Sequence, residues 1–190
     1  MLRSLVGSEM CIRDRRGKTL GIHGYGNVGR YIGKIALGFG MKTYAFRRTS
    51  MDEIIKAEGI IPLSKAEDIY KNCQYVTLHI PANEQTKKSI NYDLLSLMPK
   101  GATLVNTARK EIIDEESLLK MFAERPDFKY LSDIEPACKA EIIEKYSKRY
   151  FFTPKKMGAQ TLEANNNAGI AAAQQIIDFF EKGDVRFKVN

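Results

Sequence analysis

The residues with the plainest chemical use are three glycines in the run Gly24-Tyr25-Gly26-Asn27-Val28-Gly29. They follow an apolar stretch and open one with helical spacing, the context in which a G-x-G-x-x-G turn seats a pyrophosphate. Gly24 permits the tight turn, Gly26 lets the backbone approach the phosphates, and Gly29 lets helix and strand pack closely. Asn27 and Val28 fall in the first helical turn, whose N–H groups face the anion. A second feature follows about 20 residues on, where an acidic residue usually holds the ribose 2′-hydroxyl of NAD. Here the segment reads Tyr44-Ala45-Phe46-Arg47-Arg48-Thr49-Ser50, with Arg47 in the acid's place. Paired arginines and hydroxyls attract a 2′-phosphate, which leans the reading to NADP. If Arg47 instead stacks on the adenine, NAD binds. The expected cofactor is therefore NAD or NADP.

These residues need rigid elements behind them. Short apolar runs at 19–23, 42–46, 75–80, 102–106, 129–133 and 150–153 read as strands. Helical spacing fills 28–39, 66–71, 92–98, 115–123 and 140–146 between them. Such alternation specifies α/β architecture with a parallel sheet covered on both faces. Right-handed crossovers make the doubly wound, Rossmann-type sheet the economical topology. An alanine-rich helix at 162–182 closes on Gly183 as its stop. Residues 1–15 show no periodicity and resemble a translated sequencing adapter more than a signal peptide, so a non-native or disordered leader is expected there. The expected division is leader 1–15, dinucleotide-binding domain 16–160, and C-terminal helix and tail 161–190.

Composition narrows the function classes. In 190 residues, 44% hydrophobic, there is room for one full domain with attached pieces. No apolar run approaches the roughly 20 residues of a membrane-spanning helix. Cys11, Cys73 and Cys138 are scattered, which suits a reducing cytoplasm and gives no metal-ligand spacing. The net charge of +7 is spread among acids, so it reads as a solvated surface and not as a nucleic-acid footprint. It also suits an anionic cofactor and a phosphorylated or carboxylate substrate.

Three further motifs carry a resemblance. Phe39-Gly40-Met41, His79-Ile80-Pro81 with Thr86, and Leu104-Val105-Asn106-Thr107-Ala108-Arg109 occur in the order found in the D-isomer-specific 2-hydroxyacid dehydrogenases. From about Gly17 to its end the sequence is similar to that family. The segment from Phe152 to Ala164 looks most like short D-3-phosphoglycerate dehydrogenases without a C-terminal regulatory domain.

The resemblance implies hydride transfer between a nicotinamide cofactor and a D-2-hydroxy acid, here D-3-phosphoglycerate of serine biosynthesis. A cytoplasmic homodimer is the expected full-length form. In the family the larger part of the substrate domain precedes the nucleotide-binding domain, so that part is expected to be absent and 161–190 to return to an incomplete substrate domain. His79, Pro81, Thr86, Thr107 and Ala108 would border the cofactor, with Asp133 near the nicotinamide ribose. Arg109 would bind both cofactor and substrate carboxylate. Three departures stand out. Lys110 replaces a usual glycine. The family's Asp-Val-Phe-Glu-x-Glu-Pro is shortened to Asp133-Ile134-Glu135-Pro136, so Glu135 matches the catalytic glutamate only across a gap. Lys156, followed by Gly158, stands where the family has its catalytic histidine. The expected catalytic set is thus Arg109, Lys156 and Glu135. A dinucleotide-binding, co-repressor-like module without catalysis is the alternative.

Overall fold

Thr19–His23 (β1) is apolar and almost wholly enclosed, as a strand covered on both faces must be. Its alternate residues serve different cores. Leu20 and Ile22 join Ala36, Met41, Ala45 and Ile55. Gly21 backs onto Ile69 and Cys73 so tightly that a Cβ there would lie 2.4 Å from Ile69 Cγ2. A computed structural model describes this architecture for residues 14–49, 52–154 and 161–188. Most of the expected leader, residues 1–13, lies outside the described residues, and Asp14 and Arg15 are exposed.

β1 pairs in parallel with β2 (Lys42–Phe46) on one side and β4 (Tyr75–Leu78) on the other. β3 (Ile61–Leu63) lies outside β2, and β5 (Thr103–Asn106), β6 (Lys129–Ser132) and β7 (Tyr150–Phe152) follow β4. The seven-stranded order β3-β2-β1-β4-β5-β6-β7 is parallel throughout. Chain order reverses between β1 and β4, and that crevice is where such sheets bind ligands. The connecting helices are α1 (Asn27–Gly38), α2 (Asp52–Ala57), α3 (Ala66–Asn72), α4 (Tyr92–Leu95), α5 (Glu115–Glu124) and α6 (Lys139–Lys145). Fully enclosed Ile22, Ile69, Leu78 and Leu104 each contribute about 1.5–3 kcal/mol by leaving water.

The fold is the expected doubly wound α/β sheet, with local differences. The β3 run contains Pro62, which lacks an N–H, and the structure uses it where that matters least, on the sheet edge. α2 goes unread from sequence because only Ile55 of its residues is buried. The helical run expected at 92–98 ends at Leu95. Leu97 and Met98 bond back three residues instead of four, and Pro99 disfavours helix in the residue before it.

The chain divides into two compact units, one ending at Pro154 and one beginning at Lys155. In the second, α7 (Leu162–Lys182) starts where Thr161 Oγ1 accepts from Ala164 N at 3.1 Å, and ends on Gly183 at φ 65°. Among the described residues no helix is long and apolar enough to cross a membrane, and no group of His, Cys, Asp or Glu could hold a metal ion.

Candidate dinucleotide-binding site

The site begins with backbone geometry that only glycine allows. Gly24 has φ 104°, and a Cβ on it would lie 2.6 Å from the His79 carbonyl oxygen. Its N–H donates to Phe46 O at 3.0 Å, so the turn is fastened to the end of β2. A Cβ on Gly29 would lie 2.5 Å from Gly24 O, which explains how closely α1 returns over β1. Gly26 is different. It sits at the N-cap of α1 with ordinary φ of −103°, and a Cβ there would meet nothing within 4 Å. No side chain caps this helix and its first turn holds no acid, so its leading N–H groups face an open cradle. That cradle fits a pyrophosphate.

A cleft of about 530 Å³ opens from the turn and collects residues from the ends of β1, β2 and β4. Arg47 Nη1 donates to Tyr25 O at 3.3 Å, and Arg48 donates to Gln85 Oε1 across the cleft. Tyr25 itself is fully buried and donates to Glu58, which also receives Arg30. The loop after β4 is held by its own side chains. Asn83 Oδ1 accepts from Gln85 N and Thr86 N at 3.0 Å each, and Thr86 Oγ1 donates to Pro81 O at 2.5 Å. Two histidines line the cleft. Burial pushes His23 down to about 4, against a smaller upward pull from Glu67, and burial lowers His79 as well. His79 Nε2 pairs with Thr77 Oγ1 at 2.9 Å, which makes it a wall residue.

Of the expected site residues, Gly24, Gly26, Arg47, Arg48, His79, Pro81 and Thr86 line this cleft. Asn27 and Val28 sit beside it on the exposed first turn of α1, and Gly29 is buried beneath. Thr107, Ala108, Arg109, Asp133 and Glu135 stand further along the same sheet edge, beyond β5 and β6. Buried Asn106 organises that edge. Its side chain accepts from Ala108 N at 3.0 Å and donates to Arg109 O at 2.9 Å. Its carbonyl accepts from Ser132 Oγ and Asp133 N. Arg109 is exposed, and Glu135 is paired with Lys139 at 2.5 Å. Lys156 and Gly158 lie outside the described residues. Sequence reading missed Phe46, Asn83 and Gln85 as cleft residues. The spacing of Asn83 to Thr86 was a readable turn signal, whereas nothing local marks Gln85.

Fold and cleft together define a dinucleotide-binding α/β domain. Residues 5–151 match the model of the D-isomer specific 2-hydroxyacid dehydrogenase, NAD binding domain, and the chain belongs to that family. It is 31% identical over 180 residues to a hydroxypyruvate reductase of Thermotoga maritima, covering 92% of this chain and 55% of that protein. With a glyoxylate reductase of Thermococcus kodakarensis it shares 36% identity over 111 residues, 58% of this chain and 33% of that one. Among solved structures, an NAD+-bound 3-phosphoglycerate dehydrogenase of Entamoeba histolytica superposes with a TM-score of 0.79 at 42% identity. That match covers 92% of this chain and 55% of the other. The chain thus spans about half the length of these fuller matches.

Proposed function

We propose that this chain is the nucleotide-binding part of a D-2-hydroxyacid dehydrogenase acting on D-3-phosphoglycerate. The observation that supports the substrate is the 42% identity to the Entamoeba 3-phosphoglycerate dehydrogenase over 92% of the chain. Turnover is assigned to a protein of the relatives' length, and dinucleotide binding to this chain.

The cofactor reading favours NADP. Arg47, Arg48 and the Thr49 hydroxyl line the cleft, and among the described residues no carboxylate does. An added 2′-phosphate meets attraction there and no opposing charge.

When bound, the nicotinamide supplies the hydride acceptor and donor. The chain's own residues do the rest. The Arg109 guanidinium fork grips the substrate carboxylate and polarises the carbonyl in the reverse direction. Lys156, as a neutral amine, takes the hydroxyl proton, and Glu135 is the proposed carboxylate of the set. Glu135's link to Lys139 is a half-exposed i,i+4 pair, worth about 0.3–0.5 kcal/mol, too weak to keep it from a second cation.

The test is turnover by a protein of the relatives' length that bears these residues. Phosphohydroxypyruvate, hydroxypyruvate and glyoxylate would be compared with NADH and NADPH. The highest kcat/KM is expected with the phosphorylated substrate, and a preference for glyoxylate overturns it. Tight dinucleotide binding without turnover of any of them would favour the co-repressor-like alternative. This chain alone should bind dinucleotide with negligible oxidation of 3-phosphoglycerate, because substrate positioning and water exclusion need more of the protein.

A further inference from the structure

His23 ends β1 one residue before the glycine turn and is only 8% exposed. Its ring packs edge-on against Phe46 and Tyr70, with centroids 5.6 and 5.9 Å apart. Nδ1 lies 2.9 Å from the Tyr70 hydroxyl, which is fully buried and has no other partner among the described residues. That leaves two arrangements. If Nδ1 carried the proton and donated, the Tyr70 O–H would be a buried donor with nothing to accept it, a costly state. If Tyr70 donates, Nδ1 accepts, no donor is stranded, and the ring proton must sit on Nε2. Nε2 finds no partner among the described residues, and His23 lines the dinucleotide cleft. Burial keeps the ring neutral at physiological pH, so this tautomer is the state that matters.

We infer that His23 is a ligand-recognition residue: Tyr70 fixes its tautomer so that Nε2–H donates to an acceptor oxygen on the adenosine-side sugar-phosphate of the bound dinucleotide. The position supports the adenosine side, because His23 is flanked in the cleft by Phe46 and Arg47 from the end of β2. A neutral donor does not read the charge of a 2′-phosphate. It therefore adds affinity for NAD+ and NADP+ alike, where Arg47 separates them. The inference rests on the dinucleotide reading of the cleft.

Two measurements on the 190-residue chain test it. Nitrogen-15 NMR of the unaltered protein should show His23 protonated on Nε2, with that nitrogen shifting when NAD+ is added. Protonation on Nδ1, or no response to NAD+, overturns the inference without any mutation. Calorimetric titration of His23→Phe should show NAD+, NADP+ and ADP-ribose all weakened about 3- to 10-fold, the range for one neutral hydrogen bond. His23→Gln, whose amide nitrogen reaches the Nε2 position, should recover most of the loss. Unchanged affinity in His23→Phe, or a loss for NAD+ that spares ADP-ribose, refutes the assignment. If the unaltered chain binds no dinucleotide, the cofactor reading itself falls and takes this one with it.

Discussion

Gly24 and Gly26 stand two residues apart in one motif, yet replacing each by alanine should do opposite things. At Gly24 the new Cβ meets the His79 carbonyl oxygen at 2.6 Å and Ile80 Cγ2 at 2.9 Å, and φ is 104°. Overpacking costs about 1–3 kcal/mol and a sparsely populated backbone conformation about 1–3 kcal/mol, so Gly24→Ala should lose about 2–6 kcal/mol. At about 2–4 °C per kcal/mol for a domain this size, the melting temperature should fall by about 4–24 °C. At Gly26 the Cβ enters open space at ordinary φ. Alanine is a poorer N-cap than glycine by about 0.5–1 kcal/mol, but the stiffer unfolded chain returns about 0.4–1 kcal/mol. Gly26→Ala should therefore melt within a degree or two of the parent. Its damage lies in the cradle, where the methyl keeps phosphate oxygens from the leading N–H groups of α1. Losing one charge-assisted hydrogen bond, about 1.5–3 kcal/mol, should weaken NAD+ about 10- to 100-fold. Scanning calorimetry and cofactor titration on the same samples separate the two effects. If Gly26→Ala bound NAD+ like the parent, or melted as early as Gly24→Ala, the division of labour drawn between the glycines would be wrong.

Arg47→Asp should weaken NADP+ and spare or improve NAD+, moving the preference about 10- to 100-fold through lost charge-assisted contacts; equal dissociation constants in both proteins would remove Arg47 from cofactor selection. In a protein of full family length, Lys156→Met should cut kcat about 10²–10⁴-fold with cofactor affinity nearly unchanged and an activity limb on the alkaline side. A raised KM with most of kcat and the pH profile retained would leave Lys156 as a substrate anchor only. Acid should destabilise the fold through His23, whose value drops from 6.5 to about 4 on folding. Between those values the unfolded chain takes up the proton and the folded chain does not, so stability falls by about 3 kcal/mol as pH drops through the window. Thermal melts at several pH values, repeated with His23→Gln, should show the fall and its reduction to the part owed to buried His79, and identical curves would place the acid lability elsewhere.

Strand positions were legible because each buried strand is a short apolar run between glycine and polar breaks, and burial on both faces permits nothing else. β1 shows this best, since every residue from Leu20 to His23 is enclosed. β3 escaped because it is only three residues long and carries Pro62, whose missing N–H argues against a strand unless the run lies at a sheet edge. Its partners Tyr44 and Ala45 on β2 define it, not its own sequence. Helix ends failed for a related reason. At Leu95 the choice between continuing and tightening the turn is made by Pro99, four residues ahead, and a period-3.6 pattern does not register it.

In the site, legibility follows the covalent chain. Gly24, Gly26 and Gly29 could be read because their work is backbone work, encoded wherever the glycine stands. Arg47 could be read because it follows β2 directly, and the end of β2 is fixed relative to the turn by the Gly24–Phe46 hydrogen bond. Gln85 reaches the cleft from the loop after β4 only because Asn83 and Thr86 fold that loop on itself. His23 shows the limit most clearly. In sequence it is a polar residue at the end of a strand, equally suited to a satisfied core or to the edge of a cofactor site. What separates those roles is Tyr70, 47 residues away, whose hydroxyl occupies one ring nitrogen and so commits the other to the cleft. A tautomer is set by a tertiary neighbour, and no local pattern carries that information.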